Sequence, residues 1–209
     1  MKKIVAFLVA VLLPLSTIAF AEEDRNVTRI EFITYVMSEL GEIEYKTPAE
    51  FIDLSSTDRY FNYVSSAVEK GVITGYGNGY LRPYDEITRQ EAIVILSRAY
   101  QLKETSGVYI NGYADFSLIS PYAVGYISAA ARNGIVTYAM GDRFNPQSTV
   151  TIDDMYSLSN KFIKNSISCI KDKLTEQKGE PIYTPKHIYV LTDANTFSAA
   201  FHYAFYLWK

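Results

Sequence analysis

Two short strings place a hydroxyl, a cation and a carboxylate in the same order: Thr28-Arg29-Ile30-Glu31 and Thr88-Arg89-Gln90-Glu91. Threonine with glutamate three residues on is a capping box, in which hydroxyl and carboxylate satisfy the free N–H groups of a helix start. That accounts for Thr and Glu but not for the arginine between them, because a cation in the first turn opposes the helix dipole. Arg29 and Arg89 break this local rule in the same place. A guanidinium beside free helix N–H groups suits a carboxylate or phosphate ligand. The other reading is a pairing with a nearby Asp or Glu. Thr151-Ile152-Asp153-Asp154 keeps a cap and has no cation, so any anion site there is expected to be weak or absent.

A second kind of chemistry is suggested near the end of the chain. Ile188–Thr192 reads as a short strand, residues 193–196 as a turn, and Phe197–Trp208 as a helix. A serine at the start of such a helix, Ser198, has the layout of an exposed nucleophile. His202 stands one helical turn on, but a working base needs an orienting partner and a closed site, and neither is visible. The two histidines are distant in sequence and Cys169 is the sole cysteine, so no metal site and no cofactor is expected.

The elements that must position these residues repeat. Gly71-Val72-Ile73-Thr74 matches Gly134-Ile135-Val136-Thr137, and at that same offset Tyr63 meets Tyr126, Ala67 meets Ala130, and Pro83 meets Pro146. With the offset one shorter, Phe51-Ile52-Asp53-Leu54 meets Tyr113-Ala114-Asp115-Phe116. A half-copy at Val27–Glu31 matches Ile87–Glu91. The chain is therefore read as a tandem array of helix pairs, the first copy lacking its front half. In each unit a first helix (Asp58–Lys70 and its copy) stops at a glycine, Gly71 or Gly134. A Gly/Asn-rich turn and a proline follow, and then a second helix, Thr88–Gln101 in the middle unit. The Gly-rich turn lacks the Gly-Lys-Ser/Thr ending of a phosphate loop. One unit could hardly bury its own apolar face, so the copies should pack together in a mainly α fold.

Met1-Lys2-Lys3, an apolar run to Ala21 and the closing Ala19-Phe20-Ala21 have the layout of a secretory signal peptide over residues 1–21. Its removal takes two positive charges off a formal net charge of −3, and such an acidic chain has no basic face for nucleic acid. No membrane attachment is expected after cleavage. The remaining divisions are a partial first unit at 22–50, a second unit at 51–105, and a degenerate third at 106–168. A linker at 169–186 and a short β-α stub at 187–209 complete the chain.

Phe51-x-Asp53-Leu54, the Gly71–Tyr76 run, the turn before Pro83 and Thr88-Arg89-Gln90-Glu91 together resemble the S-layer homology (SLH) domain, over about residues 26–167. The resemblance implies helix pairs around a pseudo-threefold axis, incomplete here because the first copy lacks its front half. It also implies non-covalent attachment to the bacterial cell wall or S-layer through a secondary wall polysaccharide, often carrying acidic pyruvyl ketals. Carried over by position, the family's arginine falls on Arg29 and Arg89, and its aspartate on Asp53 and Asp115. At most two of three grooves are then charged. The aspartates have turn or cap formation as their other reading. Of the 18 tyrosines, Tyr76, Tyr80 and Tyr84 could stack on sugar rings, with surface packing as the alternative.

The string Tyr189–Ala200 resembles the nucleophile segment of tail-specific (C-terminal processing) serine proteases, which makes Ser198 the matching nucleophile. That family uses a base, commonly a lysine well downstream, and a folded core around it. Neither is supplied by the residues after Ser198. The segment is therefore expected to be inactive in this chain and to be a remnant of a longer peptidase.

Overall fold

The computed structural model describes residues 25–41, 43–136 and 142–176. The expected signal peptide, the C-terminal part of the expected linker, and the segment with Ser198 and His202 lie outside the described residues.

Among the described residues five helices carry the fold: α1 (Arg29–Leu40), α2 (Phe61–Glu69), α3 (Arg89–Ala99), α4 (Pro121–Arg132) and α5 (Ile152–Glu176). Two short 3-10 helices, Gly107–Ile110 and Phe116–Leu118, precede α4. The protein is mainly α, as the repeat pattern predicts. α1, α3 and α5 are the second helices of three successive units, while α2 and α4 are the first helices of the second and third. α2 begins at Phe61 rather than Asp58, because the Asp58 carboxylate accepts the Tyr60 N–H (2.8 Å) and holds those residues in a turn. α5 runs to Glu176, well past the end expected for the third unit.

The repeat is written into the backbone as well as the sequence. Gly71 (φ 69°) and Gly134 (φ 67°) follow α2 and α4 in the left-handed conformation that lets a chain leave a helix. Arg82 (φ 55°) and Asn145 (φ 57°) occupy the same left-handed region at equivalent turns, where a side chain bears a steric cost.

Around the axis the units close. Val27 N–H donates to Val150 O (2.8 Å), Val150 N–H to Ile87 O (3.1 Å), and Ile87 N–H to Val27 O (3.0 Å). These three residues precede α1, α3 and α5, and all three are buried. A half-copy is thus enough to complete the ring, because the ring uses only the residues just ahead of each second helix. α1 packs on α2 and α3 packs on α4, whereas no first helix covers α5 in the same way among the described residues. The uncovered face has changed chemistry accordingly. Ile30, Ile33 and Met37 of α1 are buried where α5 presents Asp153, Tyr156 and Asn160, all exposed. A polar outer face is what a terminal repeat needs in order to stay in water. No helix among the described residues is long and apolar enough to cross a membrane.

Candidate functional site

The first turns of α1 and α3 are held against the turn of the following unit. Arg29 N–H donates to Asp85 O (2.8 Å) and Ile30 N–H to Pro83 O (2.8 Å). Arg89 N–H donates to Ser148 O (2.8 Å) and Gln90 N–H to Pro146 O (3.1 Å). Both capping boxes are formed, with Glu31 and Glu91 accepting the N–H groups of Thr28 (2.9 Å) and Thr88 (3.0 Å). The free helix N–H groups expected beside the arginines are therefore already spent. An anion held there would be held by side chains.

Arg29 supplies the most unusual of these. It is 7 % exposed, and its Nε has no hydrogen-bond partner. Its Nη1 lies 3.6 Å from Glu91 Oε1, close enough for charge attraction but longer than a hydrogen bond. Its guanidinium also lies over the Tyr76 ring, 4.9 Å from the centroid, and Arg82 lies over that ring at 4.6 Å. The Tyr76 hydroxyl donates to Glu91, and burial together with that bond pushes its pKa up to about 12. Tyr122, at the start of α4, borders the same cluster. Burial raises its pKa, with the charge of Glu91 adding to the rise and Arg29 and Arg98 opposing it. Arg98 is anchored by donating from Nε to the Tyr126 hydroxyl (3.1 Å). Arg29 thus faces Glu91 and shares the Tyr76 ring with Arg82, while Arg98 stands near enough to act on the Tyr122 hydroxyl.

The equivalent place in the next unit is weaker. Arg89 lies over Phe144 (5.1 Å), its Nε likewise lacks a partner, and burial lowers its pKa against the opposing charge of Asp154. Where the first cluster has Arg82, this one has Asn145. The third place has Ile152 in the arginine position. There Arg25, from the segment before α1, makes a two-pronged ion pair with Glu31 (2.7 and 3.0 Å) beside a small cleft of ≈ 160 Å³ lined also by Val27, Met155 and Tyr156. The arginine position thus holds a cation in the first two places and Ile152 in the third.

The aspartates expected to touch ligand are occupied elsewhere. Asp53 accepts the N–H groups of Leu81 and Arg82 (both 2.8 Å), and Asp115 accepts those of Phe144 (2.9 Å) and Asn145 (2.7 Å). Both carboxylates clamp the left-handed turns, and that is their role in this geometry. By fixing the backbone at Arg82, Asp53 sets the position from which Arg82 reaches over Tyr76. Tyr76 has its ring under two cations rather than standing free for a sugar. Tyr84 is largely exposed, with its hydroxyl donating to Asp58 (2.9 Å), and Tyr80 is exposed beside the same turn. Arg82, Arg98, Tyr122 and the second role of Glu91 were missed at the sequence level. Arg82 sits at a position where the two copies differ, and Glu91 was fully explained as a cap. Among the described residues there is no group of three or more His, Cys, Asp or Glu side chains able to hold a metal ion.

Comparison with known proteins adds a likeness. The family model of the S-layer homology domain matches residues 50–93 and 112–151. An amylopullulanase of Thermoanaerobacterium thermosulfurigenes is 32% identical over 133 residues, covering 62% of this chain and 7% of that protein. An exoglucanase, XynX, of Acetivibrio thermocellus is 31% identical over 133 residues, covering 62% of this chain and 12% of that protein. A surface-layer 125 kDa protein of Lysinibacillus sphaericus is 26% identical over 144 residues, covering 68% of this chain and 12% of that protein. The chain spans only 7% to 12% of the length of these relatives.

Proposed function

We propose that the chain anchors an exported protein at the cell wall, from its likeness to the S-layer homology domain at residues 50–93 and 112–151, and that the cluster at Arg29 holds an acidic group of a secondary wall polysaccharide. The observation that carries it is the Arg29 guanidinium, buried with an unpartnered Nε and with its acid too far for a hydrogen bond. A buried charged donor left unmet costs stability, and a carboxylate presented by a ligand would meet it in the strong bidentate geometry that arginine favours. Arg82 lies over the same Tyr76 ring, and the Tyr122 hydroxyl feels the charges of Arg29, Arg98 and Glu91. A pyruvyl ketal is one such acidic group, compact and carried on a sugar. Arg89 offers a second, weaker place. Tyr80 and Tyr84 are the exposed rings nearest in sequence that a sugar could lie against.

Co-sedimentation with wall sacculi, before and after the secondary polymer is stripped off, tests the reading. The protein is expected to pellet with intact sacculi and stay in solution with stripped ones. Equal pelleting with both would overturn it.

A second reading rests on the string around Ser198. In it the chain is the wall-binding part of a serine peptidase of the tail-specific type. The DNA beyond codon 209 tests it: a resumed frame with a lysine-bearing protease core supports it, and none contradicts it. The activities in the relatives' names belong to those proteins.

A further inference from the structure

Glu91 has two jobs, and they involve different oxygens. Oε2 accepts from the Thr88 N–H (3.0 Å) and hydroxyl (2.9 Å), which closes the cap of α3. Oε1 accepts from the Tyr76 hydroxyl and faces Arg29 Nη1 at 3.6 Å. Glu91 belongs to the second unit, whereas Arg29 belongs to the first. Both side chains of this inter-unit pair are close to nine-tenths buried. Within such a site, any acidic ligand reaching Arg29 meets a carboxylate already stationed there.

We infer that Glu91 is the resident counter-ion of the Arg29 site, competing with the acidic ligand so that its charge limits affinity. The inference rests on the reading of Arg29 as the ligand-holding residue. Two like charges crowded at one guanidinium repel each other, and low surrounding dielectric enlarges that repulsion. Without ligand, Glu91 partly compensates a buried cation. With ligand, it becomes the less favourable of two acids at the site. Removing its charge should therefore move two properties in opposite directions, weakening the free protein and tightening the complex.

Glu91→Gln isolates the effect, since glutamine can still close a capping box while carrying no charge. The full exported chain would be compared with the variants Glu91→Gln, Glu31→Gln and Arg29→Ala, measuring melting temperature and binding to sacculi that carry the secondary polymer. Glu31→Gln is the control, as its carboxylate pairs with Arg25 at the unit that has Ile152 in the arginine position. The expected result is a lower melting temperature for Glu91→Gln with sacculus binding tighter by about fivefold or more, and unchanged binding for Glu31→Gln. If Arg29→Ala loses binding while Glu91→Gln binds no better than wild type, the inference is overturned and the reading of Arg29 stands. If Arg29→Ala binds like wild type, or wild type does not bind, the reading of Arg29 falls and the inference with it.

Discussion

At Arg29 a single guanidinium is asked to be both a packing element and a charge. It is buried, it lies over Tyr76, and its acid stands at 3.6 Å. Lysine could restore the charge but not the planar donor fork. Arg29→Lys should therefore weaken sacculus binding nearly as much as Arg29→Ala, by about tenfold or more. Equal binding by the lysine variant would show that charge alone suffices. Glu31 makes a different prediction, about pH. Its bonds from Arg25 hold its pKa down at about 2, against an ordinary 4.5. A carboxylate depressed in the folded state contributes stability that is full above about pH 4.5 and lost as the pH falls toward 2. Because the pair is substantially exposed, screening reduces that contribution to about 1 kcal/mol. Acid denaturation of Glu31→Gln should show a correspondingly flatter loss of stability across that window, followed by circular dichroism. An unchanged acid profile would contradict the assignment.

At the scale of elements, the turns decide where the site residues sit. Gly75 (φ 70°) has no room for a side chain, since an added Cβ would meet the Phe51 ring at 2.5 Å and Tyr80 O at 2.9 Å. Gly71 is equally left-handed but faces open space. Gly71→Ala should therefore cost about 1 kcal/mol, the price of the backbone conformation alone. Gly75→Ala should cost roughly 2–4 kcal/mol and displace the Tyr76 ring with it. Urea unfolding of the two variants measures the difference, and equal losses would argue against the tight packing of Phe51 on this turn. Much of this level was legible in the sequence. Gly71 and Gly134 mark helix ends because few other residues adopt positive φ cheaply, and Thr-x-x-Glu marks helix starts because its hydrogen bonds are local. The roles of Asp53 and Asp115 were only half legible. Each clamps N–H groups almost thirty residues away, a contact that no short spacing encodes. The meeting of Arg29 with Arg82 and Tyr76 was hidden for the same reason, because it forms between units.

Among the described residues, the segments ahead of α1, α3 and α5 close into a ring, and no first helix covers α5 as α2 covers α1. The ring's closure depends on the few residues before α1, where Val27 both donates to Val150 and accepts from Ile87, and Arg25 O accepts the Ile152 N–H (3.0 Å). Deleting residues 22–28 should cost roughly 3–5 kcal/mol through the lost ring bonds, the buried Val27 and the Thr28 cap, read by scanning calorimetry. A deletion variant as stable as the parent would show that the ring is dispensable. The half-copy looked deficient in the sequence because repeats are compared by length. In the structure it carries the ring position, Val27, and the buried Arg29. Attachment to the wall, on this account, comes chiefly from one cationic cluster rather than from three equal ones. The most direct measurement is calorimetric titration of the protein, Arg29→Ala and Arg89→Ala with secondary polymer released from sacculi. The account predicts that Arg29→Ala abolishes most of the affinity and that Arg89→Ala removes the smaller part; comparable losses from both, or none from Arg29→Ala, would contradict it.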